Sequence, residues 1–276
     1  MPKNNYTLPD GNVLISFSGG RTSGFMLHKI LEANGDLPDR AKVVFANTGR
    51  EMPETLDFVQ ECSERWNVPI VWLEYTRMEN KVDYKIVNHN SASRNGEPLE
   101  KLFINKQYLP NVVARFCTAE AKVRTIKRYL VNELKWKKWF SCIGIRADEA
   151  RRVNKGPSKD RWTYWYPLYE DQISKKDIMN FWNAQDFDLR LVGPNGVTPK
   201  GNCDGCFLKS EATLAMMWRD HPERMQWWAD MENKIGSSFH KDRTFTDLGD
   251  FVKRQGSFIF NDEAYLCQAD DGDCTG

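Results

Sequence analysis

The amino-acid sequence predicts an α/β fold, in which a parallel sheet carries helices on both faces, followed by a mainly helical C-terminal region. In the first part of the chain, short apolar runs alternate with amphipathic stretches, which is the pattern of right-handed βαβ crossovers. Beyond Arg161 the composition changes, because six of the ten tryptophans lie there. We therefore predict an α/β domain over residues 1–160 and a helical region over residues 161–276.

The first predicted strand leads through a tight turn into a helix. Residues 13–17 form an apolar run that stops at Ser18-Gly19-Gly20. From that turn, apolar residues recur at helical spacing up to the stop signal Asn34-Gly35. This order predicts a strand, a turn and a helix in direct succession.

The second unit repeats the first. A predicted strand over residues 42–46 precedes the polar turn Asn47-Thr48-Gly49, and Pro53 then begins a helix with one apolar face. Residues 69–73 form the third predicted strand. Because each strand is followed by a helix, the three strands are expected to be parallel.

The periodicity weakens in the next stretch of the chain. Residues 76–116 are polar and rich in turn-forming residues, so we predict a mobile substrate loop there. A helix is predicted over residues 122–134, because apolar residues recur there at helical spacing among basic ones. The fourth strand is predicted over residues 139–145.

Charge, hydropathy and cysteine content exclude several classes of protein. The 276 residues carry 39 Lys+Arg against 38 Asp+Glu, so the net charge of +1 provides no overall field for an anionic partner. The longest apolar runs are far shorter than the roughly 18 residues of a membrane span, and the N-terminus is not signal-like. Seven cysteines, an odd number, argue against a disulfide framework. These features predict a soluble, cytoplasmic protein with no membrane partner.

The strongest chemical signal is the segment Ser16-Phe-Ser-Gly-Gly-Arg-Thr-Ser-Gly24, between the first strand and its helix. Glycines let the backbone approach a ligand closely, and consecutive amides at a positive helix end form a cradle for phosphate oxygens. No Gly-Lys-Ser/Thr follows at the spacing of a Walker loop, and the Gly-x-Gly-x-x-Gly pattern of dinucleotide-binding folds is absent. The segment therefore predicts a phosphate site of another type.

This segment resembles the pyrophosphate loop (PP-loop), Ser-Gly-Gly-x-x-Ser, of the adenine nucleotide α-hydrolase superfamily. That superfamily includes ATP pyrophosphatases and phosphoadenosine phosphosulfate (PAPS) reductases. Further stretches resemble the PAPS reductase branch in the same order, namely residues 47–55, residues 115–118 with Lys122, residues 144–151 and residues 166–168. The resemblance implies a Rossmann-like, HUP-type fold that binds an adenine nucleotide, with ATP as the expected ligand.

The resemblance also implies roles for individual residues, whose hydroxyl, amide and guanidinium donors suit phosphate. It implies catalytic roles for Ser18, Arg21 and Arg146. It implies nucleotide contacts for Ser16, Ser18, Gly19, Gly20, Arg21, Thr22, Ser23, Asn47, Thr48, Gly49 and Arg146. Mg²⁺ is expected with the ATP. Two positions depart from the pattern, because Thr22 stands where many ATP pyrophosphatases have an aspartate that contacts Mg²⁺, and Asn47 replaces the aspartate of the branch.

The cysteines form a second constellation. Cys203-Asp-Gly-Cys206 has a C-x-x-C spacing that zinc knuckles, iron–sulfur ligands and redox dithiols share. Cys117 lies far upstream, and the arrangement resembles adenylylsulfate reductases, in which a Cys-Cys pair precedes a C-x-x-C segment that binds a [4Fe–4S] cluster. Thr118 occupies the second place of that pair here. The resemblance implies a cluster, with zinc or free thiols as alternatives, on Cys117, Cys203, Cys206 and either Cys267 or Cys274.

Other residues are interpreted structurally. Cys62 on a helix stripe and Cys142 inside a strand are predicted to be small buried side chains. The C-terminal tryptophans fit a packed helical core. Residues 122–138 carry seven basic residues against the single acidic residue Glu133. A solvated helix face explains most of this charge, and a salt-dependent contact with nucleic acid is the alternative.

Three functions are consistent with these patterns. In the first, an acceptor oxygen attacks the α-phosphorus of ATP, pyrophosphate leaves, and the adenylylated acceptor receives sulfur from a donor protein. In the second, the ligand is adenylylsulfate or its 3′-phosphorylated form, and the product is sulfite. In the third, the chain is a nucleotide-binding subunit of a nucleic-acid modification complex. The first is favoured because the reductases use a cysteine nucleophile in a C-terminal Glu-Cys-Gly-x-His segment. Here Cys274 has Asp271 and Asp273 beside it and no histidine after it. Neighbouring negative charge raises the pKa of a thiol, which opposes its attack at neutral pH.

Overall fold

A computed structural model describes residues 4–79, 81–154, 156, 160–191, 193 and 198–255. Within these residues, six strands form one sheet in the order β4-β3-β2-β1-β5-β6. The strands are β1 Val13–Phe17, β2 Ala41–Asn47, β3 Ile70–Met78, β4 Lys81–Val87, β5 Trp139–Cys142 and β6 Trp162–Trp165. Neighbouring strands are parallel except for the antiparallel pair β3 and β4. The predicted α/β fold is confirmed.

Helices and helical turns connect the strands and form the C-terminal region. A π-helical segment, Thr118–Arg124, continues directly into α4, and a 3₁₀ segment covers Ala147–Arg152. The α-helices are α1 Arg21–Asn34, α2 Pro53–Arg65, α3 Glu97–Lys106, α4 Thr125–Asn132, α5 Pro167–Glu170, α6 Lys175–Asn183, α7 Glu211–Asp220, α8 Pro222–Ile235 and α9 Phe245–Gln255. None of the described helices combines the length and the hydropathy that crossing a bilayer requires.

The sheet is buried on both faces because successive strand residues point to opposite sides. In β1, Val13 and Ile15 belong to the larger hydrophobic core, whereas Leu14 belongs to a second core with Leu130 of α4. Ile15 lies opposite Val43 of β2 on one side and opposite Cys142 of β5 on the other. The predicted layering, with helices on both faces of the sheet, follows from this alternation.

The region predicted as a mobile loop over residues 76–116 contains regular structure, so that prediction is wrong. Strand β3 continues to Met78, the chain returns as the antiparallel edge strand β4, and α3 follows. The charged residues Lys81, Asp83 and Lys85 alternate with apolar ones along β4, whose surface is largely half-buried or exposed. This alternation is the period of a half-buried strand, and the prediction of a loop overlooked it.

Strand β6 lies beyond the predicted boundary at residue 160 and pairs with β5, so the sheet extends into the region predicted to be mainly helical. The predicted fourth strand is shorter than expected, because β5 ends at Cys142. After β6 the described chain is helical, as predicted. Trp218 and Trp228 are buried in the larger core, which confirms the structural interpretation of the C-terminal tryptophans.

Candidate functional site

The turn between β1 and α1 lies at the carboxyl edge of the sheet. The chain turns from β2 and β3 on one side of β1 to β5 and β6 on the other, so this turn stands at a topological switch point. Gly19 has φ +81°, and a Cβ there would lie 2.7 Å from the Cγ2 atom of Thr55. Both the backbone conformation and the packing therefore require glycine at position 19.

Ser23 holds the turn in one shape. Its hydroxyl oxygen accepts hydrogen bonds from the Ser18 amide at 3.2 Å and from the Ser18 hydroxyl at 3.0 Å. The same hydroxyl donates to the Gly20 carbonyl oxygen at 2.8 Å. Gly20 is the N-cap of α1, and neither a capping side chain nor an acidic residue occupies the first turn. This positive helix end is therefore suited to an anion such as phosphate.

Arg146 reaches this turn from the segment after β5. Its Nη1 donates to the Thr22 hydroxyl oxygen at 3.0 Å, and its Nε donates to Asp148 Oδ1 at 2.9 Å. The side chain is only 4% exposed, so its position is well defined. The structure thus brings together Arg146 and the predicted phosphate loop. Thr22 contributes a hydroxyl at this point, so the described loop has no carboxylate of its own for Mg²⁺.

Arg21, for which a contact with phosphate is predicted, pairs with a carboxylate of the protein in this structure. Its Nε and Nη2 donate to the two carboxylate oxygens of Asp188 at 2.7 and 2.6 Å, and Nη2 also donates to the Leu189 carbonyl oxygen at 2.6 Å. This bidentate pair ties the start of α1 to the segment that follows α6. A contact between Arg21 and phosphate stays a prediction that requires this pair to open.

A cavity of about 130 Å³ adjoins the turn on the face of the sheet covered by α4. The predicted residues Ser16 and Ser18 line it, and Trp139, Trp162 and Tyr164 supply aromatic walls. Its remaining lining is Leu14, Phe17, Val44, Ala46, Lys122, Val123, Ile126, Lys127, Ser141 and Ile143. A mostly apolar cavity with a few hydroxyl and ammonium groups suits a planar base. The strand that carries Trp139 was predicted, but its role as a cavity wall was not, and Trp162 and Tyr164 lie on β6, which was not predicted.

Asn47, at the end of β2, is engaged inside the protein. Its amide nitrogen donates to Glu74 Oε1 at 2.7 Å and to the Ser93 carbonyl oxygen at 2.9 Å, and its Oδ1 accepts from the Gly49 amide at 3.1 Å. The residue is 0% exposed. An amide at position 47 can donate to Glu74, whereas the aspartate of the related proteins could not. A direct nucleotide contact for Asn47 stays a prediction.

Replacing Asn47 with Asp is expected to lower the melting temperature by several degrees. The variant would place two carboxylates about 2.7 Å apart in the buried region and would lose both amide donations. Thermal unfolding monitored by circular dichroism measures the effect. The double variant Asn47→Asp/Glu74→Gln removes the repulsion between the two carboxylates and should recover part of the loss, but not all of it, because the Ser93 amide also donates to Glu74 Oε1 at 2.6 Å. No recovery in the double variant would contradict the pairing argument.

Three of the predicted cysteine ligands meet at a second, smaller cavity of about 30 Å³. Cys117, Cys203 and Cys206 line it together with Thr48 and Lys122. In the described part of the chain, no group of three or more His, Cys, Asp or Glu side chains is already arranged to hold a metal ion. Thiolates fit zinc or iron, so these three cysteines are the described residues with the chemistry to hold a metal ion or a cluster. Cys267 and Cys274 lie outside the described residues.

The thiol of Cys203 is held neutral in this arrangement. Burial, reinforced by the carboxylate of Glu51, raises the pKa of the Cys203 thiol well above its ordinary value, and Lys122 opposes this effect. A metal ion would therefore displace a proton on binding. Burial also raises the pKa of Cys62 and Cys142, both fully buried, as expected for structural thiols.

Thr48 is where the predicted nucleotide segment contacts the cysteine cavity. Its amide donates to Glu51 Oε2 at 3.0 Å, and its hydroxyl donates to the same carboxylate at 2.8 Å. The Sγ atom of Cys203 lies 3.2 Å from the Thr48 hydroxyl oxygen. Because the hydroxyl proton is directed to Glu51, the thiol is the donor in this second contact. Gly49 completes the turn with φ +78°.

Lys122 lines both cavities. It lies in the π-helical segment, a rare wide turn that often marks a functional position. The sequence pointed to Lys122 through a family motif and through the basic stretch over residues 122–138, but not to its place between two cavities. Its positive charge lowers the pKa of the Cys203 thiol, against the effect of burial.

The basic stretch over residues 122–138 is partly neutralised. Arg124 pairs with Glu120 at 2.6 Å, Arg128 lies 3.8 Å from the same carboxylate, and Lys127 pairs with Asp160 at 2.9 Å. These pairs agree with a solvated helix face. The contact with nucleic acid stays a prediction.

The chain is similar in sequence to a known protein family and to a phage protein. Residues 12–186 match the sequence profile of the phosphoadenosine phosphosulfate reductase domain family. A protein of Escherichia phage lambda, named uncharacterized nin region protein ORF290, is 30% identical over 222 residues, which cover 75% of this chain and 69% of the phage protein.

Two solved structures are similar at lower identity. A PAPS reductase from Candida auris in a phosphate complex is 16% identical with a TM-score of 0.40, and the match covers 62% of this chain and 71% of that one. The U34-tRNA thiolase NcsA from Methanococcus maripaludis with its [4Fe-4S] cluster is 13% identical with a TM-score of 0.40, and the match covers 93% and 85%.

Proposed function

The chain belongs to the phosphoadenosine phosphosulfate reductase domain family of the PP-loop superfamily, and from this premise we propose that it is an ATP-dependent adenylyl and sulfur transferase. One observation carries the proposal. A preformed turn at a positive helix end lies beside a mostly apolar cavity, and Ser18 belongs to both. This arrangement supports a ligand that joins phosphates to a planar base, which describes an adenine nucleotide.

In the proposed complex, the phosphates of ATP lie over the turn and accept hydrogen bonds from backbone amides and from the Ser18 hydroxyl, whose proton turns from Ser23 Oγ to the phosphate. The guanidinium of Arg146 stands beside Thr22 and supplies positive charge close to the transferred phosphoryl group. Mg²⁺ would bind mainly through phosphate oxygens. Because phosphoryl transfer depends on positioning and on neutralising charge, a rigid loop and an immobilised arginine are the required elements.

The proposed reaction has two steps. An acceptor oxygen attacks the α-phosphorus, the bond between this phosphorus and the bridging oxygen breaks, and pyrophosphate leaves with that oxygen. A sulfur nucleophile from a donor protein then displaces AMP from the acceptor, so that sulfur replaces the adenylylated oxygen. Lys122 lies where its ammonium group can neutralise charge on the nucleotide and on a group held by the cysteines.

We further propose that Cys117, Cys203 and Cys206, with Cys267 or Cys274, hold a [4Fe–4S] cluster. The support is the convergence of three thiols on one cavity next to Thr48. When bound, such a cluster would supply sulfur or electrons to the neighbouring nucleotide site. Zinc is the alternative occupant of the same thiols.

An anaerobic turnover assay tests the proposed reaction. Protein is incubated with Mg·ATP labelled at the α-phosphate, sulfide and fractions of nucleic acid or small molecules as acceptors, and the nucleotide products are separated by chromatography. We expect AMP and pyrophosphate in an acceptor-dependent reaction. ADP and orthophosphate alone would contradict cleavage at the α-phosphorus. The variant Arg65→Lys, which changes a surface arginine paired with Glu61 and Asp186, should turn over like the wild type.

A parallel assay and one further outcome of the first assay identify the alternatives. In the parallel assay the protein is given reduced thioredoxin with adenylylsulfate or its 3′-phosphorylated form, and release of sulfite would make it a sulfonucleotide reductase. Binding of Mg·ATP without turnover under any acceptor condition would make it a nucleotide-binding subunit of a larger assembly.

A further inference from the structure

Asp204 lies inside the Cys203-x-x-Cys206 turn and accepts hydrogen bonds from several directions. Its carboxylate is 0% exposed. Oδ1 accepts from the Gly205 amide at 2.8 Å, from Trp228 Nε1 at 2.7 Å and from Arg50 Nε at 3.2 Å. Oδ2 accepts from Arg50 Nη2 at 2.6 Å and from Arg224 Nε at 2.5 Å. A buried carboxylate between two arginines is stable only while these donors stay in place.

The same residues attach the cysteine turn to the loop between β2 and α2. The Asp204 amide donates to the Arg50 carbonyl oxygen at 2.9 Å, and Glu51 forms an antiparallel bridge with Cys203. Arg224 Nη2 donates to the Glu51 carbonyl oxygen at 2.9 Å. The Arg50 guanidinium also lies over the Trp227 ring, 4.9 Å from its centre. The backbone of the loop and the backbone of the cysteine turn therefore form one connected unit.

This unit ends at Thr48, which belongs to the predicted nucleotide segment. The Cys203 thiol contacts the Thr48 hydroxyl, and the Thr48 hydroxyl and amide both donate to Glu51. The thiols must move to close around a metal ion, because the described cysteines are not already arranged to hold one. Cys203 is joined to Glu51 by the backbone bridge and to Thr48 by the side-chain contact, so a movement of its thiol would act on both residues.

We propose that Asp204 is a positioning residue that couples the cysteine site to the nucleotide site. Occupation of the thiols by a metal changes the affinity for Mg·ATP, and Mg·ATP changes the affinity for the metal by the same factor. The inference rests on the proposed function, because it takes Mg·ATP as the nucleotide. It adds that the cysteine site and the nucleotide site are linked through Asp204, with Arg50 and Arg224 as the connecting residues.

Two substitutions break the connection in different ways. In Asp204→Asn an amide NH₂ replaces one of the two oxygens. It faces N–H donors whichever way the amide is turned, because N–H groups donate to both oxygens of the carboxylate. Arg224→Lys keeps the positive charge, but a single ammonium group does not reproduce the two directed bonds to Asp204 and to the Glu51 carbonyl oxygen. Arg65→Lys serves as the control, because Arg65 pairs with Glu61 and Asp186 away from this network.

The experiment uses the full-length chain and Zn²⁺ as the probe of the thiols. The affinity for Mg·ATP is measured by calorimetry with and without bound Zn²⁺, and hydrogen exchange is measured over residues 47–52 in the same two states. In the wild type and in Arg65→Lys we expect the Mg·ATP affinity to differ at least about fivefold between the states, within the range of allosteric coupling. Exchange over residues 47–52 should slow when Zn²⁺ binds.

Asp204→Asn and Arg224→Lys should still bind both Mg·ATP and Zn²⁺. In these variants the Mg·ATP affinities with and without Zn²⁺ should be nearly equal, and Zn²⁺ should leave hydrogen exchange over residues 47–52 unchanged. If Asp204→Asn does not fold, Arg224→Lys decides the result. A wild-type ratio of one with unchanged exchange, an unaltered ratio in the variants, or failure of Zn²⁺ to bind the cysteines would each overturn the coupling. Loss of ATP binding alone would refute the proposed function, and the exchange measurement would still test the connection.

Discussion

Replacing Gly19 with alanine is expected to weaken the binding of Mg·ATP roughly 10- to 100-fold, which corresponds to losing one hydrogen bond to a charged group, about 1.5–3 kcal/mol. The new Cβ would lie 2.7 Å from Thr55 Cγ2 and 3.3 Å from both Phe45 and Val59, at a backbone φ of +81°. Since these neighbours belong to the packed core, the turn must move instead of them. Calorimetric titration with Mg·ATP measures the loss, and thermal unfolding measures the accompanying loss of stability.

Two variants separate the possible causes of that loss. Gly236→Ala introduces a side chain at φ +73°, in the left-handed α region, with nothing within 4 Å, so it costs only the backbone strain of about 1–2 kcal/mol and should leave Mg·ATP affinity unchanged. Gly19→Ala/Thr55→Ser removes the methyl group of the closest contact and should recover part of the affinity. Full affinity in Gly19→Ala would show that the nucleotide lies elsewhere.

The β1–α1 unit could be predicted because its signals are contiguous in the sequence. A β-branched apolar run, a glycine turn and helical periodicity follow one another directly, and α1 ends at Asn34 with Gly35 after it, as predicted. The edge strands β4 and β6 were missed for different reasons. Strand β4 does alternate charged with apolar residues, the period of a half-buried strand, but it lies in a turn-rich stretch that favours a loop, whereas the four residues of β6 are too few to show a period.

The chemistry of the site was only partly readable from the sequence. Motif order placed Cys117, Cys203 and Cys206 in one predicted site, and the structure brings them to one cavity. Pairings between distant residues have no local signal. Arg50 and Asp204 are 154 positions apart, and Arg21 and Asp188 are 167 positions apart. Such partners depend on how α6, α8 and the cysteine turn pack against the sheet, which hydrophobic periodicity does not specify.

Protein purified without oxygen is expected to contain about four iron and four acid-labile sulfide per chain, as a [4Fe–4S] cluster requires. The reason is the convergence of three thiols on one cavity, with two further cysteines, Cys267 and Cys274, in the C-terminal segment outside the described residues. Iron and sulfide analysis together with the visible absorption spectrum measures the content. Stoichiometric zinc without iron would replace the cluster with a structural zinc site.

Single substitutions of the cysteines to serine identify the ligands, because each lost thiolate leaves the cluster open to solvent and to oxygen. Substitution of Cys117, Cys203 or Cys206 should remove most of the iron, whereas the control Cys62→Ser should retain it, since Cys62 lies in the hydrophobic core. Of Cys267→Ser and Cys274→Ser, only one should behave like Cys203→Ser. Because metal binding contributes to folding free energy, the iron-free variants should also show faster hydrogen exchange over residues 198–210. Retention of iron in both Cys203→Ser and Cys206→Ser would place the cluster on other ligands.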